Sequence, residues 1–490
     1  MNIIINGRER IEKLIEGPPT LNPEDILYDE KKDILGSGSF GKVYRGIVAG
    51  LPVAIKVPNK QVLSEDEKES FMREIGVMKK VFHPNIVLFL GASTEKKIMI
   101  VSELMACDLE TLLYCPNKLP ESLKIELTPE IKLKLCTEMA LSVNWLHNVV
   151  GMVHRDLKPE NFMVDNYMNI KVTDFGFTVF PADVKQEEGW KGTPYYLSKE
   201  VVLENKVTFS CDVYALGLIM WQTFTQKQLF PEYDDFDEYS EDVICGSKRP
   251  EIDGSVPKLL VKCINSMWDG DYTKRPNIKE VLETLQQVSL ESALIDDEGL
   301  KFWKKHFYNN KTGGLMLEVE KQLFFKELGK ELNIKISSSS CLYQLFDEKI
   351  ITPTIFQKSI DFYGKYFKHT SIFNELVDLT SASWYAFDIT REIATSWLDK
   401  RQNGCFLVRL SSKTIEHPFV ISYILKNEIK HNRVTRITTK NVSNRYSTKN
   451  IINGTEIVAK TITEIINKCI DAGMFSTVCP HEKIQADTYS

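Results

Sequence analysis

Along the chain, the spacing of apolar positions alternates between the short period of strands and the longer period of helices. Ile34-Leu35-Gly36-Ser37-Gly38-Ser39-Phe40-Gly41-Lys42-Val43-Tyr44 reads as strand, glycine-rich turn, strand. The β-branched run Val53-Ala54-Ile55-Lys56-Val57 predicts a further strand that delivers one lysine. From Glu65 to Val81 the period lengthens: Phe71, Ile75 and Met78 recur at helical spacing in a charged segment, which predicts an amphipathic helix. Ile98-Met99-Ile100-Val101 returns to strand, and Asp212 opens an apolar helix. Residues 290–383 are mostly helical in pattern, with aromatic residues in Phe302–Phe307 and Val319–Phe325, a polar break at Ser337–Ser340 and a helix candidate over Ser359–Phe367. Further on come a helix ending near Leu398, an apolar strand Gly404–Ser412 with Arg409 in its interior, and strands at Phe419–Ile424 and Ile429–Val434. Thr435–Lys460 is polar and reads as irregular, and Ile462, Ile465 and Ile466 mark a last helix. The pattern predicts an α+β multidomain protein.

A length of 490 residues exceeds what one core supports and suggests about two to four domains. The formal charge of -6 supplies no basic field for nucleic acid, so none is expected as a partner. Ten scattered cysteines without a C-x-x-C pair read as reduced cytosolic thiols, not as disulfides or a zinc site. The apolar run after Met1 is too short for a signal peptide, and no stretch approaches the roughly 20 apolar residues of a membrane span. A cytoplasmic protein is expected, with any peripheral attachment to the plasma membrane coming through partners.

The chemistry is concentrated in His154-Arg155-Asp156-Leu157-Lys158-Pro159-Glu160-Asn161, followed by Asp174-Phe175-Gly176. This order places a proton acceptor (Asp156), a cation (Lys158) and two magnesium-binding groups (Asn161, Asp174) at the spacing that phosphoryl transfer from ATP requires. The glycine run Gly36-Ser37-Gly38-Ser39-Phe40-Gly41 also fits a dinucleotide-binding turn, but a Rossmann turn opens a helix, whereas Val43 and Tyr44 continue a strand. Lys56 is then the expected contact to the α- and β-phosphates, and Glu74 the residue expected to pair with it. Ser102-Glu103-Leu104-Met105 follows a strand as a plausible hinge, with Ser102 guarding the pocket behind it. Arg275 is the expected buried partner of Glu200, because an internal guanidinium needs a carboxylate to offset its desolvation.

With this ordered set, residues 28–289 resemble a eukaryotic protein kinase catalytic domain, preceded by an extension over 1–27. The resemblance implies a bilobal fold with Mg2+ and ATP in the cleft. The nucleotide would lie against Leu35, Gly36, Ser37, Gly38, Ser39, Phe40, Gly41, Lys42, Val43, Ala54 and Lys56, and against the hinge backbone at Glu103 and Met105. His83-Pro84-Asn85-Ile86-Val87 and Asp212-Val213-Tyr214-Ala215 are similar to the tyrosine-kinase-like group. Lys158 and Gly192-Thr193-Pro194 match the serine/threonine pattern, with Thr193 placed to contact Lys158 and Asp156, while added tyrosine activity stays open. The usual Ala-Pro-Glu is here Ser198-Lys199-Glu200. Few acceptors stand in the activation segment, so regulation by phosphate there is left open.

Residues 290–383 resemble the EF-hand-like helical region that precedes the SH2 domain of Cbl-type adaptors. Phe346-Asp347-Glu348-Lys349 lacks the spaced carboxylates and central glycine of a calcium loop, so no calcium is expected. Arg409 inside an apolar strand makes sense if an anion meets its guanidinium. Helix, central antiparallel sheet and helix around Phe406-Leu407-Val408-Arg409 resemble an SH2 domain over 384–480, with a tail at 481–490. Arg409, Arg391, Ser411, Ser412 and His431 would then form a phosphotyrosine pocket. A kinase followed by an SH2 domain resembles the Shk kinases of social amoebae. The expected function is phosphorylation of protein substrates, targeted to tyrosine-phosphorylated partners. The alternative is a pseudokinase scaffold or phosphotyrosine adaptor.

Overall fold

The computed structural model describes residues 20–480 apart from 39–40, 60–62, 95–96, 185–188, 310–313, 337–342, 344–345, 347, 364–366, 368–378, 380–381, 387–388, 411–416, 440–441 and 450–453. Internal contacts divide the chain into two units, Met1–Ser289 and Leu290–Ser490.

The first unit begins with an antiparallel sheet of β1 (Ile26–Leu27), β2 (Ile34–Ser37), β3 (Gly41–Val48), β4 (Leu51–Pro58), β5 (Phe89–Ser93) and β6 (Met99–Glu103). Its order is β1-β3-β4-β6-β5, with β2 on β3. Alternation in β4 buries Val53, Ile55 and Val57 against Tyr44, Met99 and Val101 and turns Ala54 and Lys56 to the opposite face. Helix α1 (Glu65–Met78) starts at a capping box in which Ser64 and Glu67 satisfy each other's backbone amides. Phe71, Ile75 and Met78 are its buried stripe, and the helix stops three residues short of the predicted Val81.

Beyond the hinge lie α2 (Leu109–Tyr114), α3 (Pro129–Trp145), α4 (Lys199–Glu204), α5 (Phe209–Thr225), α6 (Lys258–Met267) and α7 (Ile278–Ala293). Helix α5 is buried on nearly all sides and forms the axis of this lobe. A small sheet, β7 (Cys107–Asp108), β8 (Phe162–Val164) and β9 (Ile170–Val172), holds the two loops that carry the motif residues. α3 runs into a π-turn at Leu146–Val150, and Gly151 at φ 81 turns the chain into the first of these loops.

The second unit opens with α8 (Asp297–His306), β10 (Val319–Glu320), α9 (Lys321–Leu332), β11 (Ile350–Ile351) and α10 (Pro353–Tyr363). β10 and β11 pair antiparallel, each directly ahead of a helix, over an aromatic core of Phe302, Trp303, Phe307, Phe324, Phe325 and Phe356. The helical pattern at Val319–Phe325 therefore begins with two strand residues. Ser337–Ser340 lie outside the described residues.

Next come α11 (Arg391–Leu398), β12 (Cys405–Leu410), β13 (Phe419–Leu425), β14 (Glu428–Thr439), β15 (Val442–Lys449), β16 (Glu456–Ala459), α12 (Ile462–Asp471) and β17 (Thr477–Val478). The sheet runs β16-β15-β14-β13-β12-β17. Phe406 and Val408 of β12 pack with Ile462, Ile465 and Ile466, while the alternate residues Cys405 and Leu407 pack with Ala394 and Leu398. One helix thus covers each face. The expectation of an irregular Thr435–Lys460 is corrected: most of it forms β14, β15 and β16. Its β-branched residues suit a sheet, and a strand with one polar face shows no apolar run in the sequence.

Candidate functional site

Three parts of the first unit converge on Lys56. The strand register Val43↔Lys56↔Ile100, beside Arg45↔Ala54↔Ser102, puts Val43, Ala54, Lys56 and Ser102 on one face of the sheet. Lys56 Nζ donates to Glu74 Oε2 at 2.8 Å and Oε1 at 3.1 Å, and to Asp174 Oδ1 at 3.0 Å. Burial works against the ammonium, but Asp174 and Glu74 outweigh it and hold Lys56 charged, above its usual range. One cation between two carboxylates leaves a surplus negative charge: burial pushes Glu74 up to about 7, whereas Asp174 is held low, Lys56 overcoming the effect of burial there.

The loop after Gly151 supplies the second group. Asp156 is buried, and both its carboxylate oxygens are engaged. Thr193 Oγ1 donates to Oδ1 at 2.7 Å, Asn161 Nδ2 donates to Oδ2 at 3.0 Å, and Lys158 Nζ lies 3.3 Å from Oδ2. Lys158 also donates to Thr193 at 2.8 Å. The Thr173 amide donates to the Asn161 carbonyl at 2.9 Å, which draws Asp174 to the same place. Arg155 at φ 72 and Asp174 at φ 64 hold left-handed backbone, a strained conformation for such residues that collects at sites the surroundings over-determine.

Asp212 was read from the sequence as the head of an apolar helix and a member of the kinase-like set, with no contact assigned to it. Its carboxylate accepts from the His154 amide at 2.8 Å, the Arg155 amide at 3.0 Å and His147 Nε2 at 2.8 Å, and so pins this loop from beneath. Burial alone would raise its pKa, yet the His147 hydrogen bond and charge outweigh that and keep it low. A lone acid at the start of an otherwise apolar helix is the signal that could have shown this role.

The glycine turn closes through the Gly38 amide on the Gly41 carbonyl at 2.8 Å, while Ser39 and Phe40 lie outside the described residues. A Cβ at Gly36 would meet open space, but one at Gly41 would come within 2.6 Å of the Val57 carbonyl. Gly41 is therefore required by strand packing, whereas Gly36 faces open space. Leu35 is exposed, Ser37 and Lys42 are cross-strand partners, and Met105 follows β6 in the hinge. The Glu103 amide donates to the Leu88 carbonyl at 3.0 Å, and the Glu103 carboxylate is held by Lys171 at 2.7 Å.

The second unit has its own polar centre. Arg409 on β12 donates through Nη1 to the Ile389 carbonyl at 3.4 Å and the Leu410 carbonyl at 3.3 Å. His431 on β14 faces Ser422 on β13, with its Nδ1 2.9 Å from Ser422 Oγ and its Nε2 3.4 Å from Thr395 Oγ1. Burial first, and then the charges of Arg391 and Arg409, lower the His431 pKa, so the two guanidiniums and the ring share one neighbourhood. Ser422 and Thr395 were not singled out from the sequence, since hydroxyl residues on a strand and a helix carry no motif. Ser411 and Ser412 lie outside the described residues.

Comparison with known proteins decides the family. The protein kinase domain pattern matches residues 29–285, just over half of the chain. The chain belongs to the protein kinase family. An SH2 domain pattern matches residues 384–467 of this kinase. It is 35% identical to the dual specificity protein kinase shkE of Dictyostelium discoideum, over 98% of this chain and 69% of that protein. It is 35% identical to shkD of the same organism, over 97% of this chain and 63% of shkD. With shkC the identity is 31%, over 92% and 90% of the two chains. The kinase thus has the domain order of the Shk group, a catalytic domain followed by SH2.

Proposed function

We propose that this kinase transfers the γ-phosphate of Mg-ATP to serine, threonine and tyrosine hydroxyls of proteins, and that its SH2 domain carries it to tyrosine-phosphorylated partners. The observation that carries the catalytic reading is Lys56 clamped between Glu74 and Asp174, because this ion pair and a metal-binding aspartate must both be in place for phosphoryl transfer. Asn161 and Asp174 offer only hard oxygen donors, which fits magnesium, and the open space over Gly36 fits a backbone that covers phosphates. Bound Mg-ATP would supply the phosphoryl group and the metal charge that neutralises it.

The chain's own residues do the rest. Lys56, fixed by Glu74, presents a cation that needs no reorganisation when negative charge gathers near it. Asp156, oriented by Thr193 and Asn161, accepts the proton of the acceptor hydroxyl and keeps its oxygen in line. Lys158 adds a second positive charge beside it. In the hinge, Leu88 already takes the Glu103 amide, so an adenine contact from Glu103 falls to its carbonyl. Arg409 and Arg391 would grip a phosphotyrosine phosphate, with His431 against it. Acceptance of tyrosine follows the names of the Dictyostelium relatives, and the serine/threonine features follow Lys158 and Thr193.

A cytoplasmic kinase that reaches membranes through its partners is the proposed setting; no helix among the described residues is long and apolar enough to cross a membrane. The test is phosphoamino-acid analysis of a generic protein substrate with Mg-ATP, comparing the full chain with Lys56→Met. Loss of about 100-fold or more of the signal in Lys56→Met, with folding intact, is expected. Equal labelling by the two chains would refute the assignment of Lys56. Absence of labelling by the unaltered chain would favour a scaffold.

A further inference from the structure

We propose that this kinase assembles its active arrangement without phosphate on the activation segment, and that a phosphate placed there would dismantle the site. This inference rests on the kinase reading above and concerns how that site is controlled. Kinases that are switched through this segment use a new phosphate to bring the strand lysine, the helix glutamate and the metal-binding aspartate together. Here those contacts are already made, at 2.8 Å from Lys56 to Glu74 and 3.0 Å from Lys56 to Asp174.

The hydroxyls between Asp174 and Glu200 are Thr178, Thr193, Tyr195, Tyr196 and Ser198. Each is buried or employed. Thr178 is fully buried. Thr193 bridges Asp156 and Lys158, so a phosphate on it would push a charge of about -1.5 to -2 against the Asp156 carboxylate. Ser198 is fully buried and donates to Glu200 Oε1 at 2.6 Å. The same Glu200 receives Arg275 at 2.7 and 2.9 Å, and a phosphate on Ser198 would repel the glutamate and compete for its arginine. The Tyr196 hydroxyl donates to Gln222 Oε1 at 3.0 Å, and Glu160 and Glu110 are close enough to add to the burial that raises its pKa. A phosphate there would meet like charge. Tyr195 stands edge-on to Tyr239 with ring centres 4.8 Å apart, and its hydroxyl donates to the Tyr233 carbonyl at 3.4 Å. Thr193 and Ser198 thus hold the segment through unmodified oxygens, at the catalytic carboxylate and at the Glu200 brace.

The experiment compares full chain purified from phosphatase-coexpressing cells, and shown by mass spectrometry to be phosphate-free over 175–199, with chain made without phosphatase. Initial rates on a protein substrate are read in the first minute, and Tyr195→Phe is measured alongside. The expected result is full activity without lag in the phosphate-free chain, with Tyr195→Phe within about threefold. Chain made without phosphatase should come within about twofold of that rate where the five hydroxyls are unmodified. Any fraction with phosphate mapped to Thr193 or Ser198 should fall by about tenfold or more, and its undiminished activity would overturn the second half of the proposal. A fall of about tenfold or more in the phosphate-free chain, with phosphate mapped to one of the five hydroxyls in the active preparation, overturns this proposal and leaves the kinase assignment standing. Inactivity of both preparations overturns both.

Discussion

His431 shows how much a single residue's surroundings decide. In sequence it is one histidine in a polar strand; in the structure both ring nitrogens meet hydroxyls and two guanidiniums lie near. Its folded pKa lies below the usual 6.5, with burial the largest cause and Arg391 and Arg409 adding to it. The sign follows directly. The unfolded chain takes up the proton first, so this contribution to stability is complete above pH 6.5 and is lost as pH falls through the folded value. Melting temperature of the SH2-bearing unit, followed by a local probe, should therefore drop on acidification below 6.5, and His431→Gln should flatten that limb. An unchanged limb in the variant would place the titration elsewhere. At this scale Lys56, Asp156, Asn161, Asp174 and Arg409 could be proposed from their motifs, because chemistry restricts which residue types can serve. Ser422, Thr395 and the bracing role of Asp212 were not, since their partners come from other elements and no local spacing marks them.

At the scale of elements, two devices hold the first unit in register, one in each lobe. Glu200 at the start of α4 and Arg275 form a two-pronged pair with side chains 2% and 0% exposed. Glu200→Ala leaves the guanidinium buried without its carboxylate and should cost about 3–5 kcal/mol, read as a shift in the denaturant midpoint. Restoration of stability by Glu200→Asp would show that the charge, not the volume, is needed. The glycine turn gives a sharper contrast. Gly41→Ala drives a Cβ against the Val57 carbonyl and should destabilise by roughly 1–3 kcal/mol, whereas Gly36→Ala meets open space and should leave the melting temperature nearly unchanged while raising the KM for nucleotide. Equal destabilisation by both would contradict the separation of roles. From sequence alone the glycines form one motif, and only the packing of β3 on β4 divides them. Helix α1 and strand β4 were readable from periodicity, because each buries a single stripe or face, and strand β12 from its continuous apolar run, because it is buried on both faces. β15 and β16 were not, because half-polar strands at the sheet's far end show little apolar contrast.

For the whole molecule, the consequence of carrying both domains on one chain is a concentration effect. An SH2 domain bound to a phosphotyrosine near an acceptor makes transfer effectively intramolecular. Arg409→Ala should weaken phosphotyrosyl-peptide binding by about 2–5 kcal/mol, since a buried charge pair is truncated. On a protein substrate bearing phosphotyrosine the same variant should raise KM with little change in kcat, and on a short unphosphorylated peptide it should change neither. A matching fall in kcat on the short peptide would point to coupling beyond tethering.

The sequence by itself determined that a kinase pattern precedes an SH2 pattern, and it proposed the carriers of the chemistry: which lysine, which aspartates, which arginine. It could do so because phosphate, metal and proton transfer each accept few side chains, and their spacing is set by short loops. Tertiary structure alone decided how far burial and neighbouring charge shift these groups. Burial and the Asp174 carboxylate raise the pKa of Glu74 against the pull of Lys56, and burial with the charges of Arg391 and Arg409 lowers that of His431, all of it contributed by distant elements. The engagement of Ser198, a strut that no motif marks, belongs with these, whereas the contact of Thr193 with Asp156 and Lys158 is the one expected from the sequence. Electrostatics and burial act through space, and distance in space is what a linear order of residues does not record.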